Sequence, residues 1–552
     1  MLVIFQLIII FLAGLIAYWW ANQGLMSSIL HFVAVVCAGA IALAFWEPLV
    51  VGVVLDNRGT DNYAWGFILV ALFVVSLFII RFAFDRLAPA NVQIPHWANL
   101  VFGGIFGVGS GTITVGILMI AIGFTQSSNE VMGFHGAKRT NLGITVEETA
   151  WFPAHTLTAR FYEFLSAGAF YPEFSAQPLK QVNPKLDEQA FSLIRDTYRQ
   201  GTGKTSIAPD AVTVLKVHQA TGSGPTEQGR VFVDVKVNNE GFDHADQFIM
   251  SVSQIRLLAY QGGDVRRGAV SIASPDRWSQ NVRVGGTNQV STYRFDDVSH
   301  FVTSVPGQNE VTFQVEFAIG NSDRQIAPGA IPKYIQIKGV RYALPAIEQA
   351  STATTVRGRF DRGAPDVLDN PNAPMANATD IEQRFDLRPI NSASKNNSIG
   401  FTKNYEGKRS TFVEGEQTFH KGARAPGRET RIHGIYAAPG TAIVRVNLSR
   451  DAVTSMYGAA REKAGESATP MLVDSEGNTY RAKGYLLATP EEYHLKIDPD
   501  NLISSISELP ALPTSDVNKL WLIFQVTDNA HLVSFRFDDV TVAQCNVQVV
   551  PF

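Results

Sequence analysis

Apolar residues follow two rhythms along this 552-residue chain. In the first stretch they run on with hardly a polar break, near 2–20 (LVIFQLIIIFLAGLIAYWW), 27–45, 64–82 and 98–123. Each run approaches the roughly 20 residues a helix needs to cross about 30 Å of hydrocarbon. Four in such close succession predict a transmembrane bundle rather than buried helices of a soluble core. The first run lacks a basic leading segment and a small-residue cleavage site, so it reads as a retained helix and not a signal peptide. Trp19, Trp20, Trp46 and Trp65 fall at the ends of runs, where amphipathic rings favour the membrane–water interface.

From Val212 onward the rhythm becomes alternation. RVFVDVKVNN (230–239) sets Val231, Val233, Val235 and Val237 on one side, as a half-buried strand does. EVTFQVEFAIG (310–320) and KYIQIKGVRY (333–342) repeat the pattern between Gly, Asn and Pro turns. After a stretch rich in Pro, Asn and Asp, GTAIVRVNLS (440–449) echoes the first strand, and FQV at 524–526 echoes FQV at 313–315. PMLVDSEGNTYRAKGY (470–485) reads as a hairpin. The fold class expected is therefore a four-helix membrane bundle followed by all-β structure, in two immunoglobulin-like antiparallel β-sandwich modules that echo one another. The boundaries expected are 1–125 for the transmembrane domain and 126–209 for a juxtamembrane helical segment. A first sandwich follows at 210–346, a Pro/Asn/Gly-rich linker at 347–430 and a second sandwich at 431–552.

Within the juxtamembrane segment, Leu157, Phe161, Phe164 and Leu165 recur at helical spacing, with Arg160 and Glu163 on other faces. Such a helix either lies on the membrane surface or packs on the soluble part. A second helix is expected from Pro184 to Gln200, capped by Asn183 and ended by Gly201.

Charge refines the picture in two ways. Residues 1–46 hold no Lys, Arg, Asp or Glu, and no ionisable group marks a proton or ion path across the membrane. Arg81 and Arg86 in the loop after the third run favour a cytoplasmic location for that loop, with both termini outside, although Lys138 and Arg139 pull the other way. A formal charge of −4 gives no electrostatic basis for nucleic-acid binding. Two cysteines, Cys37 in an apolar run and Cys545 near the C-terminus, make no disulfide framework.

The fourth run contains GGIFGVGSG. Gly103, Gly107 and Gly111 lie four apart on one helical face, with Ser110 at its border, a spacing that lets a second helix approach closely. Its flanks are lipid-like and no Lys-Ser/Thr follows, which excludes a phosphate-binding loop. GTGKTS (201–206) is no such loop either, because Tyr198 stands where its first glycine is required.

Gly103, Phe106, Gly107 and Gly111 resemble the Gly-x-x-Phe-Gly-x-x-Arg-Gly of the fourth helix in the colicin V production protein family, with Ser110 in place of the arginine. Gln23-Gly24-Leu25 is similar to that family's Arg-Gly-Phe in the first loop, and Asn99-Leu100 replaces its Asp-Arg. The resemblance covers about residues 1–125. It implies a bacterial inner-membrane protein with both termini outside, tied to envelope maintenance and to toxin production or secretion.

No catalytic constellation is present. The eleven histidines form no His-x-x-x-His pair joined to a Glu, there is no zinc-type Cys/His spacing, and no Gly-x-Ser-x-Gly or Gly-Asp-Ser-Gly nucleophile loop occurs. Asp474, Glu476 and Asn478 read as a hairpin turn rather than a calcium site. The expectation is a non-enzymatic protein with no cofactor or metal and no nucleic-acid partner. Its expected partners are the lipid bilayer, a second copy through the helices, and a cell-wall glycan or a protein at the sandwiches.

Overall fold

The computed structural model describes residues 2–55, 61–87, 95–125, 132, 134, 137–140, 143–146, 150–173, 177–193, 204–221, 229–243, 247–262, 269–284, 287–295, 301–304, 307–350, 356, 373–383, 415–420, 441–457, 459–475, 478–497, 502–510, 517–527 and 530–550. Four helices are long and apolar enough to cross a membrane: α1 (Leu2–Asn22), α2 (Leu25–Leu49), α3 (Asp61–Leu87) and α4 (His96–Gly123). Gly24, with φ 92°, makes the turn between α1 and α2, a backbone angle that a residue with a Cβ rarely takes. Pro48 withholds an N–H from the end of α2, and the chain continues as one wider π-turn through Val50–Val54.

Helix α4 is the hub and packs against α1, α2 and α3. Three shorter helices follow: α5 (Ala154–Ala167), α6 (Leu179–Val182) and α7 (Leu186–Leu193). The face α5 turns inward is Ala154, His155, Thr158, Ala159 and Tyr162, set against α4 and α2. Leu157 and Phe164, from the expected apolar stripe, point outward instead. Small side chains win the packed face because only they let α5 come close to α4. Helix α7 starts at Leu186, and Asn183 does not cap it; its amide is engaged elsewhere, as described below.

The chain then becomes β-rich and mostly antiparallel. One six-stranded sheet runs in the order Ile347–Ala350, Val212–Ala220, Arg230–Asn238, Glu310–Ala318, Arg277–Val284, Thr287–Arg294. A four-stranded sheet runs Val340–Ala343, Ile331–Ile337, Ile255–Gln261, Ala269–Ala273. Val233 and Val235 of the first sheet share one apolar core with Leu257 and Ile335 of the second, and that core continues into the helices through Trp65 and Phe124. The strand at 230–238 is buried on both faces, not one: Asp234 accepts from the Gln314 amide at 2.6 Å, and Phe232 packs on Ala220 and Val356.

Strand pairings cross two of the expected boundaries. Ile347–Ala350 pairs in parallel with Val217–Ala220, so the first sheet reaches past 346. Inside the expected linker, Ile381–Gln383 pairs with Val444–Val446 and Gly415–His420 pairs with Glu492–Ile497, which makes both part of the last sheet. Such short polar strands leave no alternation to read. Most of 351–440, the expected second helix beyond 193 with its Gly201 end, and Glu476 lie outside the described residues. The last sheet runs Ile381–Gln383, Thr441–Asn447, Lys519–Thr527, Thr479–Ala488, Pro470–Asp474, His531–Phe537, Val540–Gln548, over a separate core. In each region the echoed strands are neighbours: 230–238 pairs with 310–318, and 441–447 pairs with 521–527. The predicted hairpin is present, with Asp474 accepting from the Asn478 backbone and the Tyr480 hydroxyl, so its carboxylate closes the turn.

Candidate functional site

The glycine face of α4 meets α1 running the other way. A Cβ on Gly103 would lie 3.3 Å from the Ala21 Cα, one on Gly107 2.7 Å from the Ala17 carbonyl oxygen, and one on Gly111 2.6 Å from that of Ala13. Two small-residue ladders of four-residue spacing thus interlock within one chain. Ser110 is fully buried, but its hydroxyl donates back to Phe106 O at 2.9 Å. It makes no bond across the seam, since a serine in a helix reaches the preceding turn more easily than a neighbouring helix.

At one end of the bundle, the Leu25 N–H donates to Asn99 Oδ1 at 3.0 Å, joining the two short segments Gln23-Gly24-Leu25 and Asn99-Leu100. Trp20 stacks on His31 at 3.8 Å between ring centroids, and the Arg81 guanidinium lies 5.0 Å from the Trp20 ring centre. Arg81 also pairs with Asp85 at 2.7 Å and donates to the Ser27 hydroxyl at 3.0 Å. Trp19 is exposed.

The opposite end carries the junction with the first β-rich region. Trp46 and Trp65, expected at the lipid interface, are buried instead, 5.0 Å apart edge to face and packed with Phe124. Both rings bury because protein satisfies their N–H groups. Trp46 Nε1 donates to Trp65 O at 2.7 Å, and Trp65 Nε1 donates to the Ser206 hydroxyl at 2.7 Å. Ser206 belongs to the GTGKTS stretch. Ser206 receives the start of α3.

Beside the tryptophans, Glu47 at the end of α2 pairs with Arg341 at 3.1 Å and accepts from Asn183 Nδ2 at 2.8 Å. Asn183 Oδ1 in turn accepts from Gln336 Nε2 at 3.3 Å, while Gln336 Oε1 accepts from Arg256 Nε at 2.5 Å. Arg256 is buried and also donates to Pro184 O at 3.1 Å and Gln189 Oε1 at 2.6 Å. Burial pushes its guanidinium down to about 10, partly offset by Glu188, Glu163 and Glu47, so it stays cationic at neutral pH. The result is one continuous polar chain from α2, through the α6–α7 turn, into the four-stranded sheet and α7.

His31, Glu47 and Arg81 all lie within the long helices, contrary to the expectation of no ionisable group there. Each faces protein partners, as ionisable groups in such apolar helices do. Compared with family models and with curated proteins, the chain matches none.

Trp46, Trp65 and Asn183 were singled out from the sequence in other roles, but their meeting with Glu47, Gln336, Arg256 and Arg341 was not. A trace of it was there to read: Glu47 is the first charge after a charge-free stretch, and Arg256 and Arg341 interrupt apolar strands (SQIRLLAY, KGVRYALP). Their meeting joins positions far apart in the chain, which no local pattern encodes. Among the described residues, no group of three or more His, Cys, Asp or Glu is placed to hold a metal ion.

Proposed function

We propose that this chain is a non-enzymatic integral membrane protein of the bacterial inner membrane that holds its β-rich regions, as two immunoglobulin-like sandwiches, rigidly on the extracytoplasmic side. The observation that carries this reading is the buried chain from Glu47 through Asn183 and Gln336 to Arg256, with Trp65 anchored on Ser206. A passive tether needs no such joint. Two buried charges and several amides positioned between helices and sheet make the bundle and the first sandwich move together.

Sidedness follows from charge. The β-rich region sits at the end of the bundle where Glu47 lies, while Arg81 and Arg86 lie toward the other end, next to the α3–α4 loop. Cationic loops stay in the cytoplasm. This charge asymmetry supports a topology with the sandwiches, and the start of α1, outside.

The resemblance to the colicin V production family supplies the process: envelope maintenance, or toxin production and secretion. It is supported by the contact between Leu25 and Asn99, which brings the two loop segments of that resemblance together. Deleting the gene should raise sensitivity to detergents that the envelope excludes, and the full chain should restore resistance. A deletion strain with an unchanged envelope barrier and unchanged toxin release would remove this reading.

A second reading treats the sandwiches as a binding module for cell-wall glycan or a partner protein. A cleft of about 340 Å³ lined by Gln219, Ile319, Ile331, Pro332 and Ile347 is the candidate seat for such a partner. The glycine seam is already filled by α1, so a second copy of the chain would have to use another helix face, such as the exposed Phe67, Val74 and Phe78 of α3.

A further inference from the structure

Helix α5, at 14 residues, is too short to cross a membrane, yet it packs at the depth of helices that are long enough. Its Thr158 hydroxyl donates to Thr112 O of α4 at 3.3 Å, and Ala154 and Thr158 fill the space left open by Gly116. Its Tyr162 hydroxyl donates to Val36 O of α2 at 3.1 Å, with the ring over Gly39. Gly116 stands roughly 10 Å in from the end of α4 at Gly123, at 1.5 Å per residue. Two further contacts tie α5 to the start of α1 and to the α6–α7 turn. The Trp151 N–H donates to Gln6 Oε1 at 2.9 Å, near the start of α1, and Glu163 Oε1 accepts from the Lys185 N–H at 2.7 Å.

The outward face is what this placement exposes. Phe164 is 77% exposed, Trp151 63% and Leu157 46%. A water-facing helix has no reason to present such a set, whereas the flanks of the helices beside it are equally bare: Val108 of α4 is 54% exposed.

We propose that α5 is an in-plane helix sunk into the extracytoplasmic lipid interface, a fifth membrane element that does not span. Leu157 and Phe164 enter the acyl-chain boundary, Trp151 sits at headgroup level, and the exposed Arg160 extends its guanidinium toward lipid phosphate. The partner is the bilayer itself. This rests on the reading that α1–α4 cross it.

Spin labels on single cysteines at 157, 164, 108 and 331 test it, in the full chain with Cys37 and Cys545 replaced by alanine and reconstituted in phospholipid nanodiscs. The readout is collision with oxygen, which partitions into lipid, against a water-soluble nickel chelate. Position 331, 60% exposed on a strand, is the aqueous reference and position 108 the lipid reference. Labels at 157 and 164 should shift away from the 331 value toward the 108 value. Labels at 157 and 164 that match 331 while 108 stays oxygen-accessible overturn the interfacial helix alone. Nickel access at 108 as well overturns the spanning reading, and the inference with it. Labels at 157 and 164 shielded from both reagents would mean a protein contact covers the face, and would also overturn it.

Discussion

Gly107 and Ala17 touch backbone to backbone: a Cβ on Gly107 would lie 2.7 Å from the Ala17 carbonyl oxygen and 2.9 Å from its Cα. Neither atom can retreat without moving a helix. Gly107→Ala should therefore destabilise the full chain by about 1–3 kcal/mol, and Gly107→Leu should abolish the folded state. Gly14, on α1, is the control, because a Cβ there meets nothing within 4 Å. Gly14→Ala should be neutral or stabilising by up to about 1 kcal/mol through helix propensity. Thermal melting of the detergent-solubilised protein reads both. Equal stability of Gly107→Leu and wild type would remove the seam.

Glu47 and Arg341 are mostly buried, with side chains 14% and 18% exposed. Removing either alone strands the other's charge, at a cost of about 3–5 kcal/mol. Glu47→Ala with Arg341→Ala should cost clearly less than the sum of the single changes, because the double variant leaves neither charge unpaired. Additive losses would mean that the pair does not hold the junction.

Trp65→Phe deletes the donor to Ser206 and fills only part of the space of the indole. The expected loss is about 1–3 kcal/mol, since the buried Ser206 hydroxyl loses its partner. Ser206→Ala should cost a similar amount, because it leaves the buried Trp65 N–H without an acceptor, and adding it to Trp65→Phe should cost little more.

His155 supplies a pH dependence. Burial among Phe134 and Phe191 lowers its pKa below the usual 6.5, with Asp187 partly opposing. The unfolded imidazole takes a proton below that value which the folded one resists. The stability tied to a neutral His155 is therefore fully present above pH 6.5 and is lost as pH falls toward the folded pKa. One pH unit below 6.5 the loss is at most about 1.4 kcal/mol. Melting temperatures between about pH 7.5 and 5.5 should fall less in His155→Leu than in wild type. Identical slopes would show that His155 does not contribute.

The helices and their seam could be read from the chain because each depends on local periodicity: charge-free runs, and glycines four apart. The partner ladder Ala13, Ala17 and Ala21 could not, as alanine in an apolar helix carries no distinguishing signal. Trp46 and Trp65 had the correct place at helix ends but the wrong surroundings. Composition shows that an indole wants a half-polar site; it does not say whether water, lipid or Ser206 provides it. Strands at 230–238 and 310–318 were plain from alternation. The strand at 347–350, those at 381–383 and 415–420, and the Glu47–Arg341 junction required the tertiary fold, because each is stabilised by residues far along the chain.

The central claim is that both the β-rich regions and the start of α1 lie outside the cytoplasm, with the α1–α2 turn inside. Single cysteines at Ile331, on an exposed strand position, and at Asn22, at the exposed end of α1, probe the two faces directly. In intact spheroplasts a membrane-impermeant maleimide should label position 331 at once and position 22 only after permeabilisation. Labelling of position 22 in intact spheroplasts, with position 331 protected until lysis, would contradict the claim.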